Sequence, residues 1–272
     1  MSTLNIGDIV ARKSYGNDIH FIITAITYDE NQKPIYTLRG LLKRIEADSN
    51  GFDLIKSNPR QVNKDKTIYL QRTKQQLLSR NLQSRIFGFN RPQGIPGKIL
   101  HIDSSEDFLK ICIKYYRDSN VPCIGHLAPE REQSYVVEEL LHKHKPNILV
   151  LTGHDGLKKG STNLKNMDNY RTSKYFVNAV LSARNYEPDK NKLCIFAGAC
   201  QSYFEAIMDS GANFASSPER VLIDCLDPSI VTAKVSQTDH MKIITPSSIY
   251  PLTKSGKKGI GGINSRGQMF FN

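Results

Sequence analysis

The sequence predicts an α/β protein with a mostly parallel sheet, preceded by a small all-β module. Three observations carry this. Residues 4–56 hold short Ile/Val/Thr/Tyr runs broken by turn signals. Residues 56–91 hold nine Lys/Arg against one acid, Asp65. From residue 98 onward, apolar runs alternate with amphipathic segments. The corresponding division is a β module at 1–56, a basic linker at 57–97 and a catalytic-type α/β domain at 98–272.

In the first part, "IGDIVARKS", "IHFIITAITYD", "PIYTLRGLLKRIEADS" and "FDLIK" read as strands. Tyr-Gly-Asn-Asp at 15–18, Asp-Glu-Asn-Gln at 29–32 and Ser-Asn-Gly at 49–51 separate them. Four or five short strands in so little chain predict an SH3-like or Tudor-like barrel, an architecture commoner in binding modules than in enzymes. The linker predicts one helix near 71–83, and "RPQGIPG" at 91–97 marks a boundary through its prolines and glycines.

The remainder alternates strand and helix. "KILHIDS" is a strand. "SSEDFLKICIKYYRDSN" opens with a capping pattern and places Phe108, Ile111, Cys112 and Tyr115 at helical spacing. "VPCIGHLA" is a strand, and "EREQSYVVEELLHKHKP" a helix stopped by Pro146. "NILVLTGHDG" has the apolar run of a strand buried on both faces. A helix over 172–185, the strand "KLCIFAGAC" and a helix from about 202 follow. Such alternation calls for parallel strands joined by right-handed crossovers. Both "NFASSP" and "RVLIDCLDPSIVTAKVSQT" read as further strands, and 242–272 as irregular.

Composition narrows the classes. The chain has 272 residues, 39% hydrophobic and 23% charged, enough to bury a core. No run approaches the ~18–20 apolar residues of a membrane span. The N-terminus carries charges and turn residues where a signal peptide needs an apolar stretch, so the expectation is a cytoplasmic protein. Five cysteines without a C-x-x-C favour neither a disulfide framework nor a thiolate metal site. The net charge of +11 falls mostly in the first 97 residues, at +7. Scattered aromatics and the lack of an RNA-binding signature favour a solvated linker over a nucleic-acid surface.

Two groups fall at carboxyl ends of strands, where open parallel sheets place their ligands. His154 follows "NILVLTG" and Cys200 follows "KLCIFAGA", 46 residues on. On neighbouring strands they would reach one edge. An imidazole that takes the thiol proton, a thiolate that attacks a carbonyl, and backbone N–H groups that hold the oxyanion make a cysteine hydrolase. The bland alternative is that Cys200 packs as a small hydrophobe.

"LVLTGHDG" and "IFAGAC" resemble the His-Gly and Ala-Cys strand ends of caspase-like cysteine peptidases, which include caspases, legumain, clostripain, gingipain and separase. With "IGDIVARKSYG", "NYRTSKYFVNAVLSAR" and "LCIFAGACQSYFEAIMDSGANFASSPERV", the full length resembles the YabG family of sporulation-specific proteases of spore-forming Firmicutes. The resemblance implies a caspase-like three-layer sandwich with a mostly parallel sheet. It implies a cysteine endopeptidase without a cofactor or metal, made in the mother cell and processing spore coat and morphogenetic proteins beside Arg or Lys. Cys200 would be the nucleophile and His154 the base. This sequence departs from the caspase pattern at Asp155, which intervenes before Gly156, and at Gln201-Ser202 after the thiol. The oxyanion donors are thus Cys200 N–H with Gly156 N–H, favoured over Asp155 N–H.

Other residues have secondary readings. His126 ends the strand "VPCIG" and is the rival base, whereas His101 reads as core and His142 and His144 as helix C-terminal residues. Cys112, Cys123 and Cys194 read as buried and inert; Cys225, between acids, as a poor nucleophile. Asp103 ends the first parallel strand and either orients His154 or caps the next helix. A basic substrate side chain needs an acid, for which Asp168, Asp224 and Asp227 are the sequence candidates. Arg80, Arg85 and Arg91 in the linker are candidate self-cleavage sites. Two other classes compete with this reading. A glutamine amidotransferase would need a downstream His-x-Glu, and His240 is followed by Met-Lys-Ile. A non-catalytic basic binding module for nucleic acid or coat proteins would use the β module and linker alone.

Overall fold

The computed structural model describes residues 3–86 and 94–271; of residues 73, 74 and 76–86 it describes the backbone alone. The chain opens with five strands, β1 (Ile9–Arg12), β2 (Phe21–Tyr28), β3 (Pro34–Gly40), β4 (Glu46–Asn50) and β5 (Leu54–Lys56). They form an antiparallel sheet in the order β4-β3-β2-β1-β5. Alternation sends Val10, Phe21, Ile23, Tyr36, Leu38 and Leu54 to one buried side. The β3–β4 hairpin joins its strands through residues 41–45, a bend over 41–44 followed by Ile45. Its register runs from Ile35 opposite Asn50 to Arg39 opposite Glu46.

Helix α1 (Pro59–Ile86) follows. It is longer than the sequence reading, beginning at a proline, which suits a first helical turn because its missing N–H has no partner there in any case. Arg80 and Arg85 fall on its backbone, while their side chains, and all of Arg91, lie outside the described residues.

The second unit alternates β6 (Ile99–Asp103), α2 (Glu106–Asp118), β7 (Cys123–Leu127), α3 (Glu130–His144), β8 (Ile148–Thr152), α4 (Ser173–Tyr186), β9 (Cys194–Ala197), α5 (Phe204–Asp209) and β10 (Phe214–Ser216). Then come α6 (Asp227–Ser236), β11 (Ile243–Ile244), α7 (Pro246–Ile249), α8 (Gly256–Gly259), β12 (Ile260–Gly262) and β13 (Ser265–Arg266). Six of these strands make one sheet in the order β12-β10-β9-β8-β6-β7, parallel except for β12. Side chains of β8 divide by parity. Ile148 and Val150 join α2 and α6 on one face, and Leu149 and Leu151 join α3, α4 and α5 on the other. Burial on both faces is why this strand reads as an unbroken apolar run.

Two expectations need correction. "DPSIVTAKVS" is helix α6, not a strand. Its Ile, Val and Thr content suggests strand, but Pro228 sits in its first turn and all its residues except Lys234 are buried, so no amphipathic period was available to reveal it. The tail is not irregular throughout: β12 pairs antiparallel with β10 and closes that edge of the sheet.

Candidate active site

β8 and β9 are parallel neighbours, with Leu151 opposite Ala197. His154 and Cys200 therefore follow adjacent strand ends, and both are buried. The turn after β9 uses left-handed backbone at Gly198 (φ 111°) and Gln201 (φ 54°), which reverses the chain sharply around Cys200. Ser202 Oγ accepts the Ala199 N–H (2.9 Å) and donates to Asp155 Oδ2 (2.9 Å).

Glycines flank the His-Asp pair because something else occupies the space a side chain would need. A Cβ at Gly153 would lie 2.5 Å from Glu130 Oε1, and one at Gly156 2.0 Å from the Glu46 carbonyl oxygen. The Asp155 carboxylate ties the site together. It accepts from Gly156 N (2.8 Å), Thr172 N (2.9 Å), Ser202 Oγ and the Ser173 hydroxyl. Burial raises its pKa to about 6, against the pull of those donors.

The His154 ring lies between two partners. Nε2 is 3.2 Å from the Gly40 carbonyl oxygen, to which it donates as the Nε2–H tautomer. Nδ1 has no hydrogen-bond partner among the described residues and lies 3.9 Å from Glu130 Oε1. Glu130 also accepts the His154 backbone N–H (2.7 Å) and the Ser104 hydroxyl (2.5 Å), and its other oxygen pairs with Arg39 (2.8 Å). Burial lowers the His154 pKa to about 4, with Glu130 opposing. Cys200 Sγ accepts the Ile223 N–H at 3.3 Å, and burial raises its pKa to about 11. Among the described residues no hydrogen bond joins Sγ to the imidazole; the β3–β4 hairpin bend enters the site.

That bend brings Arg44. Its carbonyl oxygen accepts two backbone N–H groups, from Cys200 and from Asp155, both at 3.2 Å. The next residues pair with the His strand end: Ile45 bridges Asp155 in parallel fashion and Glu46 N–H donates to the Asp155 carbonyl at 2.7 Å. The Arg44 guanidinium is fully buried, with Nη2 2.7 Å from Asp103 Oδ2 and the group 4.8 Å from the Phe108 ring. Burial alone would raise the Asp103 pKa, but Arg44 and His101 hold it well below the usual carboxylate range.

The remaining sequence candidates are placed as follows. Asp103 faces Arg44, Thr152 (2.8 Å) and His101 (3.5 Å), and the carboxylate beside His154 is Glu130. Gly156 N–H is taken up by the Asp155 side chain, and it is Asp155 N–H that points at the Arg44 carbonyl. Asp168 is exposed on a short turn. Asp224 pairs with Lys254 (3.2 Å) and lines a cleft with Lys43 and Leu42. Asp227 accepts the Lys254 and Ser255 N–H groups at 2.8 and 3.0 Å. His126 stands on β7, the sheet edge two strands from β8. Sequence reasoning missed Glu130 and Arg44. Glu130 opens a helix, where an acid is unremarkable, and Arg44 sits in a segment read as strand.

Comparison with known proteins decides the family. The YabG peptidase U57 family matches residues 5–271. The chain belongs to that family. It is therefore a protease, a hydrolase of peptide bonds. The sporulation-specific protease YabG of Bacillus subtilis (strain 168) is 39% identical over 280 residues, covering 96% of this chain and 95% of that protein. No solved structure matches. For this member of the family, no described helix is long and apolar enough to cross a membrane.

Proposed function

We propose that the chain is a cysteine endopeptidase that cuts after Arg or Lys, with Cys200 as nucleophile and His154 as general base and acid. The observation that carries this is the convergence of Cys200 N–H and Asp155 N–H on one carbonyl oxygen, between the two strand ends. Two backbone donors aimed at a carbonyl oxygen are what an acyl-transfer site needs, because charge develops on that oxygen. Catalysis runs by thiolate attack on the carbonyl carbon, departure of the amine with a proton from His154, and attack of water on the thioester to release the carboxylate and restore the thiol. Glu130, behind Nδ1, favours the imidazolium while it exists.

The basic preference follows from Asp103. It stands at the floor of a buried pocket lined by Phe108 and Cys112, where a guanidinium is held by charge and by the ring face. On this reading the parallel-sheet unit is a caspase-like sandwich, and the N-terminal sheet an SH3-like barrel whose hairpin reaches the cleft. The family and the B. subtilis relative point to sporulation, so the substrates are spore coat and morphogenetic proteins and the site of action is the mother cell. The test is incubation of a coat protein and an Arg-containing peptide with wild type, Cys200→Ala and His154→Ala. Wild type cuts after Arg and both variants lose at least about 10³-fold; equal cutting by Cys200→Ala would overturn the assignment.

A further inference from the structure

We infer that the enzyme's first substrate is its own chain, cut in cis between Arg44 and Ile45, an inference that rests on the proposed thiol mechanism. Arg44 carries two marks of the residue on the acyl side of a scissile bond. Its carbonyl oxygen holds both backbone donors, at 3.2 Å each, and its side chain fills the Asp103 pocket at 2.7 Å. Ile45 and Glu46 continue along the strand end that carries His154, with Glu46 N–H on the Asp155 carbonyl at 2.7 Å. His154 Nε2 faces the same bend, at the Gly40 carbonyl. The peptide between residues 44 and 45 thus lies where a substrate peptide must lie.

A purely structural role fits the chemistry less well. Arg44 is wholly buried, yet its Nε and Nη1 have no hydrogen-bond partner among the described residues. A buried guanidinium bonded at one nitrogen is a poor stabilising device, because desolvation opposes the ion pair. As a specificity contact it needs no such balance.

The step uses one water. Cys200 sulfur bonds to the Arg44 carbonyl carbon as the carbon–nitrogen bond to Ile45 breaks, and His154 delivers the thiol's proton to the departing Ile45 nitrogen. Water then adds to the thioester, sulfur leaves and regains a proton, and the products are an Arg44 carboxylate and an Ile45 ammonium. Until then, residues 41–46 exclude other chains from the cleft. The cut frees the Arg44 end of the hairpin from Ile45, and other substrates gain entry once that end leaves the cleft.

The test is mass spectrometry of the full-length protein, with a separate Arg-peptide assay on the same sample. Wild type should yield a fragment ending at Arg44 and one beginning at Ile45, at a rate unchanged over a tenfold range of protein concentration. Peptide hydrolysis should show a lag that follows the cut. Cys200→Ala should keep the bond intact. Arg44→Lys, which keeps the charge, should be cut about tenfold more slowly, since lysine lacks the planar fork. Arg44→Ala should remain uncut, and circular dichroism on the Lys variant gives the folded reference should the Ala variant unfold. Steady peptide hydrolysis with the Arg44–Ile45 bond intact would overturn this inference and leave the proposed function standing. A cutting rate proportional to concentration would overturn the cis geometry. An intact bond with no peptide hydrolysis would overturn both.

Discussion

Arg44 and Asp103, 59 residues apart in sequence, meet fully buried at 2.7 Å and join the N-terminal hairpin to the first strand of the parallel sheet. One ion pair thereby links the β module to the site proposed to read basic side chains. Severing it tests the specificity claim. Asp103→Asn should lower kcat/KM on Arg peptides by about 10²–10³-fold, because removing one partner of a buried charge pair costs about 3–5 kcal/mol. The ratio of Arg to norleucine turnover should collapse. Asn at Asp168, Asp224 or Asp227 should leave that ratio high, and a collapse at one of those instead would relocate the pocket.

On the proposed mechanism Glu130 is a positioning residue for His154, and a pH profile separates this role from a structural one. It is the largest charge that opposes the burial-driven fall of the imidazole pKa. Glu130→Gln should reduce kcat by about 10²-fold, the scale of acid–base assistance. It should also move the acid limb of the profile to lower pH. A fall in rate with an unmoved limb would assign Glu130 to packing alone.

Stability should depend on acid through the same ring. His154 is held neutral in the fold down to about pH 4, whereas an unfolded histidine takes a proton near 6.5. The unfolded state therefore binds more protons between those values, and the fold loses stability as pH falls through them, by about 3 kcal/mol. Asp155 acts with opposite sign. Its pKa of about 6 lies above the ordinary 3.8, so its contribution is lost as pH rises through 6. Comparing His154→Asn with wild type isolates the first effect: thermal melts should show the variant gaining on wild type from pH 7 to pH 4. A constant difference would remove the ring from the account.

Gly156 tests the seating of the hairpin. A methyl there would lie 2.0 Å from the Glu46 carbonyl oxygen, so backbone must move. Gly156→Ala should cost about 1–3 kcal/mol in denaturant melts. It should also speed limited proteolysis of the 41–46 segment. An unchanged midpoint would show that the hairpin yields without strain.

The strand ends of the parallel sheet were legible because burial on both faces leaves an apolar run that stops abruptly at the turn that follows. "NILVLTG" before His154 and "KLCIFAGA" before Cys200 are such runs. Amphipathic α2 and α3 were legible for the same reason in reverse, since each keeps a wet face. Helix α6 hides its period by being buried all round. What joins distant segments left no local trace. Arg44 carries no sign in sequence that Asp103 will meet it, and the donor choice between Asp155 and Gly156 depends on which N–H the Asp155 carboxylate takes. The His101 reading as core agrees with its burial between Tyr116 and Thr152.

The most direct measurement is active-site labelling with an arginyl peptide bearing an alkylating ketone, followed by mass mapping of the modified cysteine. The thiol-peptidase account predicts one label, on Cys200, that is lost in Asp103→Asn and suppressed by excess Arg peptide. Labelling of Cys112, Cys123, Cys194 or Cys225 in its place, or full peptidase activity with Cys200 unlabelled, would contradict it.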